Sequence, residues 1–204
     1  MKFPIFAFIA LTILSVFFLS PSSHGQDKNV LLDAADIKLE EQKLPARARG
    51  DSKEAVKEYG EDWWAIDIKF STEEEITEEI EVKVYLAAYD FLKDDAFVVL
   101  TAEETFINVL QGSNHRATFY LHPGSARRFG GDKGIASFGR SSGDHNVHVE
   151  IFEKGRLVAE MDMKDDDPNW FREGAPIPDV LLGVKDTPWW PFESLAYNQI
   201  KEGR

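Results

Sequence analysis

Residues 63–70, WWAIDIKF, alternate with period two: Trp64, Ile66, Ile68 and Phe70 share one face, and Trp63, Ala65, Asp67 and Lys69 the other. An apolar row against a mostly polar row is the signature of a half-buried β-strand. Residues 80–90 repeat it, with Ile80, Val82, Val84 and Leu86 inward and Glu81, Lys83 and Tyr85 outward. The acidic stretch between, STEEEITEE, spaces Ile76 and Ile80 as a helix would and carries a capping-box pair, Ser71 and Glu74. It predicts a solvated connection with one helical turn. Residues 96–110 predict one or two strands, and QGSNHR (111–116) a turn. A further strand sets Ala117, Phe119 and Leu121 against Thr118, Tyr120 and His122. Residues 146–163 predict a hairpin turning at Lys154-Gly155, with Ile151 opposite Val158 and Phe152 opposite Leu157. Residues 35–48 supply another strand ending near Pro45, and residues 46–62 a short helix or an ordered loop.

About seven short strands, few helices and no βαβ alternation predict an all-β fold, an antiparallel Ig-like β-sandwich. A small barrel is the alternative. The Cys…Trp…Cys spacing of antibody domains is absent, because the chain has no cysteine. Residues 165–204 carry clustered prolines and Trp170, Trp189 and Trp190. They predict an extended arm packing on the sandwich and closing in a short helix over 194–201. The expected organisation is a leader over 1–25, the sandwich over 26–164 and the arm over 165–204.

The leader follows from Lys2, the apolar run from Ile5 to Leu19, and small residues Ser23 and Gly25 ahead of Gln26. That is the secretory signal pattern, and the apolar run is short for a membrane span. The expected location is therefore exported: periplasmic, outer-membrane-associated or extracellular. Without cysteine a lipid-anchored export signal and thiolate zinc sites are excluded, and the domain holds together by core burial alone. The 204-residue chain has the size for that, with 43% hydrophobic residues. A net charge of −13 argues against nucleic acid or an anionic membrane surface as partner, since phosphate binding needs clustered Lys and Arg.

Most motifs fail on context. Gly139-Arg140-Ser141-Ser142-Gly143 matches the nucleophile elbow, but that motif needs a strand before it and a helix after it, and here a strand follows. His145 and His148 are three apart, so a regular strand points them to opposite faces and one metal cannot take both. Asp165, Asp167 and Asn169 open like an EF-hand, yet Trp170 stands where Gly is needed and Pro176 where Glu is needed. Arg49-Gly50-Asp51 is a three-residue match that chance supplies. The expectation is therefore no enzyme, no cofactor and no metal site. The segment from His122 to His145 holds six glycines and four basic residues in an acidic protein. It is a candidate for docking an acidic partner. Trp63 is a candidate for exposure or for burial beneath the arm. The candidate contact residues are Trp63, Trp190, Arg127 and Arg128.

The C-terminal run LLGVKDTPWWPFESLAYNQI, with Lys185, Thr187, Pro188, Trp189, Trp190, Phe192 and Tyr197, resembles the tail of exported Ig-like proteins of Verrucomicrobia and Planctomycetes. The WWAIDIKF strand and the leader fit the same group. Some members are encoded beside type IV pilus-like assembly genes. The resemblance implies an envelope role in pilus-associated assembly or adhesion, with other envelope or pilus-like proteins as partners, and brings no catalytic residues. Unlike a pilin, the chain has no long apolar helix after a processing site. The alternative is a carbohydrate-binding module using Trp63 or Trp190 as the stacking ring.

Overall fold

The two alternating runs belong to one strand. In a computed structural model of the chain, the described residues are 29–33, 36–43, 63–94, 96–130, 147–163, 169–190 and 199–201. The leader, Arg49-Gly50-Asp51, Ser141, His145 and Asp165 to Asp167 lie outside them. The described strands are β1 (Val30–Leu31), β2 (Ile37–Gln42), β3 (Trp63–Asp90), β4 (Ala96–Leu121), β5 (Val147–Glu153), β6 (Arg156–Asp162), β7 (Ala175–Pro178), β8 (Leu181–Gly183) and β9 (Gln199–Ile200); one α-helix, α1, spans Pro123–Gly130. Nine described strands replace the expected seven, because four of the expected runs fuse into β3 and β4 while β1 and three short segments of the C-terminal region, β7 to β9, join the sheet.

β3 and β4, 28 and 26 residues long, form one hairpin. β2 and β8 flank its open end, where Ile66 lies opposite Phe119. β5, β6 and β7 extend the half near its turn, where Ile80 lies opposite Phe106. Register shifts between Phe70 and Ile76 separate the halves. They change the partner of an even β3 position from an odd β4 residue to an even one. Ile66, Ile68 and Phe70 from one half and Ile80, Val82, Val84 and Leu86 from the other thereby enter one buried cluster. One sheet of nine described strands, its inward rows gathered into that cluster, makes the expected all-β sandwich. Each fully buried aliphatic or Phe side chain in it stabilises the fold by roughly 1.5–3 kcal/mol.

The helical turn over 71–79 and the turn at 111–116 do not form; both stretches are strand. Local capping loses to a distant clamp. The buried Asn29 accepts at Oδ1 from the backbone N–H of Glu73 and Glu74 at 3.2 and 2.8 Å, and its Nδ2 donates to Thr77 Oγ1 at 2.9 Å. The donors that a helix N-terminus would offer are thus used by the residue leading into β1, and the segment becomes an irregular strand.

The β5–β6 hairpin turns at Lys154-Gly155, whose φ values of 49° and 76° are those of a two-residue primed turn. Phe152 faces Leu157 as expected, but Ile151 faces Ala159, because a bulge intervenes. α1 begins at Pro123, where a missing N–H costs nothing, and His122 Nδ1 accepts from Gly124 N at 3.0 Å. Ala126 and Phe129 seal one end of the core. Of the helix expected over 194–201, Gln199–Ile200 instead pair with Ile107 and Phe106 of β4.

Candidate interaction surface and buried polar cluster

Both outer faces of the sandwich are partly covered by the C-terminal segment. On one, Trp63, Ala65 and Tyr120 lie beneath Val184 and Trp189. Trp189 stacks on Tyr120 at 4.6 Å and 11° and meets Trp63 edge-on at 5.1 Å and 78°. The two tryptophan pairs of the sequence therefore touch. Trp63 is 4% exposed, which removes it as a contact residue or sugar platform. Its face is outward, as alternation says, but the arm turns that face into a second core. Trp64 is half-buried against the main core. Trp190 is also half-buried, with the Lys185 ammonium 5.9 Å from its ring. The cation lies over one face of the ring. Asp67, expected in solvent, is buried further along the same face as Trp63, paired with Arg116 and accepting from Thr118 Oγ1 at 3.1 Å.

The two arginines stand on α1 beside the β3–β4 turn. Arg128 Nη2 donates to Asp90 Oδ2 at 2.7 Å and Nε to Oδ1 at 3.2 Å. Asp90 is fully buried, and it also caps the 3-10 turn that follows, accepting from Leu92 N at 3.1 Å. The Arg128 guanidinium holds the Asp90 carboxyl below its usual range. Arg128 is thus a structural clamp as well as a half-exposed cation. Arg127 is exposed. The turn presents Phe91 and Leu92, 46% and 77% exposed, and the Lys93 side chain is 66% exposed. Apolar and cationic groups thus meet at one end of a protein of net charge −13. Exposed apolar residues rimmed by charge mark contact surfaces. Sequence reading found the arginines through their Gly-rich setting. It missed Phe91 and Leu92, whose apolar character reads as strand.

The second arrangement lies on the outer face of the β6–β5–β3 layer. His148 of β5 faces Asp162 of β6, Glu150 faces Glu160, and Tyr85 of β3 faces His148. The bulge makes this set. With the expected Ile151–Val158 register, Glu150 would oppose Ala159 and His148 would oppose Met161. Phe171 stacks on the imidazole at 3.8 Å and 9°. Asp162 Oδ1 accepts from Trp170 Nε1 at 3.0 Å. It also lies 3.1 Å from His148 Nδ1, off the direction of a ring N–H, so the two are in close contact without a directed hydrogen bond. Tyr85 Oη donates to Glu150 Oε2 at 2.8 Å. Burial, with Glu150 adding to it, pushes the phenol up to about 12, so the donor keeps its proton. Lys83 is held by Glu81 at 2.9 Å and Glu103 at 3.2 Å. The Glu81 hydrogen bond keeps the ammonium above its usual range.

A protein-family model matches residues 23–204. No curated protein matches the chain. A crystal structure of a protein from Akkermansia muciniphila, a member of the Verrucomicrobia, superposes with a TM-score of 0.65, covering 86% of this chain and 94% of that one at 18% identity. At that identity the likeness shows a shared fold. No helix among the described residues is long and apolar enough to cross a membrane.

Proposed function

The chain belongs to the family whose model spans residues 23–204, and on that premise we propose that it is an exported, non-enzymatic protein of the cell envelope that works by protein–protein contact. The observation that carries the reading is the end of the long hairpin. Phe91 and Leu92 stand exposed beside Lys93, Arg127 and Arg128, on a molecule otherwise dominated by acidic groups. Such a surface fits a partner segment that offers apolar side chains within an acidic surround, because opposite potentials steer the encounter and the apolar contacts hold it. Pilus-associated assembly or adhesion is the setting we propose, on the likeness of the C-terminal tail to exported proteins encoded beside pilus-like genes.

The test is recovery of partners from envelope extracts of the native host, with the wild-type protein and a Leu92→Asp/Arg127→Glu variant as baits. Both side chains are exposed. The variant should keep the wild-type urea midpoint, since surface substitutions usually move stability by no more than about 0.5 kcal/mol. The wild type should recover discrete envelope proteins and the variant should lose them. Equal recovery by both baits, or recovery of glycoconjugates alone, overturns the reading.

A further inference from the structure

We propose that His148, Glu150 and Glu160 form a binding site for one divalent first-row transition-metal ion, with Zn²⁺ as the reference ion. One donor atom from each residue lies within 4.8 Å of the others. The β5–β6 register accounts for the set: His148 and Glu150 are two apart on one strand and share a face, and Glu160 is the direct partner of Glu150. A cluster of carboxylates alone would be an ordinary solvated surface. Here the imidazole is 2% exposed, and among the described residues neither ring nitrogen makes a directed hydrogen bond. A buried imidazole with both nitrogens unsatisfied is costly unless something takes a lone pair.

The surroundings have the form of a ligand shell and its supports. Asp162, beside Nδ1, is placed to orient the ring from the side away from the ion, and Trp170 Nε1–H holds Asp162. Phe171 fixes the ring plane. Nε2 then points toward Glu150 Oε1, 3.9 Å away, while Tyr85 occupies the other oxygen of the same carboxylate. One imidazole and two carboxylates form a nitrogen–oxygen donor set that suits zinc and its first-row neighbours; calcium and magnesium prefer all-oxygen shells. Bonds of about 2.0–2.1 Å place tetrahedral ligand atoms about 3.3 Å apart. The site must therefore close slightly around the ion, and Glu160, the exposed member, is the side chain free to do so. Three protein ligands leave a fourth position for water or a partner's donor.

The test is calorimetric titration of the chelator-treated protein with ZnCl₂, and in parallel with CaCl₂ and MgCl₂. Saturable binding of one Zn²⁺ per chain is expected, with neither calcium nor magnesium competing at equal concentration. Glu160→Gln should weaken zinc binding at least tenfold, and Asp162→Asn, which only orients the ring, by about 10–100-fold. Zinc should also shift the His148 ring proton signals in the NMR spectrum of the wild type, a readout independent of either variant folding. Absence of saturable binding, unchanged affinity in Glu160→Gln, or binding that leaves the His148 signals in place would overturn the proposal.

Discussion

Glu104 breaks the alternation of its own strand. It sits on the interior face of β4, opposite the core residue Val82, with only 7% of its surface exposed. Its Oε2 has no hydrogen-bond partner among the described residues, and a side chain on Gly183 would press against Oε1, at 3.1 Å from the first added carbon. Burial pushes this carboxyl up to about 7, with Lys185 opposing the shift and Asp186 adding to it. The unfolded chain gives up this proton near pH 4.5, whereas the folded chain keeps it to about 7. Stability therefore falls as pH rises through that window, and the cost is complete above it, on the order of 3 kcal/mol. Glu104→Gln should raise the urea midpoint at pH 8 and leave it nearly unchanged at pH 5. An equal gain at both pH values, or none at pH 8, would show that the buried carboxyl is not the cause. Asp90 acts with the opposite sign. Arg128 lowers its pKa, so its contribution is present above the ordinary carboxylate range and is lost on acidification. The two acids therefore pull in opposite directions: acidification below the ordinary carboxylate range loses the Asp90 contribution, and raising the pH from there toward 7 loses that of Glu104.

Among the elements, the C-terminal segment changes most between sequence and structure. Period-two alternation made the inward faces of β3 legible, because which way a side chain points depends only on its immediate neighbours. Whether the outward face meets water depends on what crosses it. Trp63 is buried by Trp189 and Val184, and Ala87 and Val99 by Trp170 and Phe171, none of them sequence neighbours. The continuity of β3 through residues 71–79 was hidden for the same reason, since its clamp is Asn29, just ahead of β1 and distant in sequence. The acidic partners of His148 depended on a bulge that the Lys154-Gly155 turn signal does not encode. If the segment seals that outer face, Trp189→Ala should destabilise the protein by about 3–5 kcal/mol in urea unfolding, the usual cost of truncating a buried tryptophan. Trp190→Ala, at a half-buried ring, should cost clearly less. Comparable losses from the two substitutions would mean that the second pair is not divided into a core ring and an edge ring.

At the scale of the molecule, the two layers are not separable parts. Each is built on half of β3 and half of β4, so neither can be undone without breaking the hairpin that carries the other. The C-terminal segment ties in as well: β7 and β9 join β4 in the half near its turn, and β8 joins it at the open end. Trp170 lies over one outer face and Trp189 over the other. Tryptophan emission therefore reports both covers, and far-ultraviolet circular dichroism reports the sheet beneath them. A fold joined this way should unfold in one cooperative step, with the two signals sharing a single urea midpoint and slope. A tryptophan transition at lower urea than the loss of sheet would mean that the segment lifts off before the sandwich opens. The surfaces it covers, Trp63 and Tyr120 on one side and the His148 cluster on the other, would then be reachable by a partner without global unfolding. Coincident transitions would confine partner contact to surfaces already open in the folded state, chief among them the hairpin end with Phe91, Leu92 and Arg127.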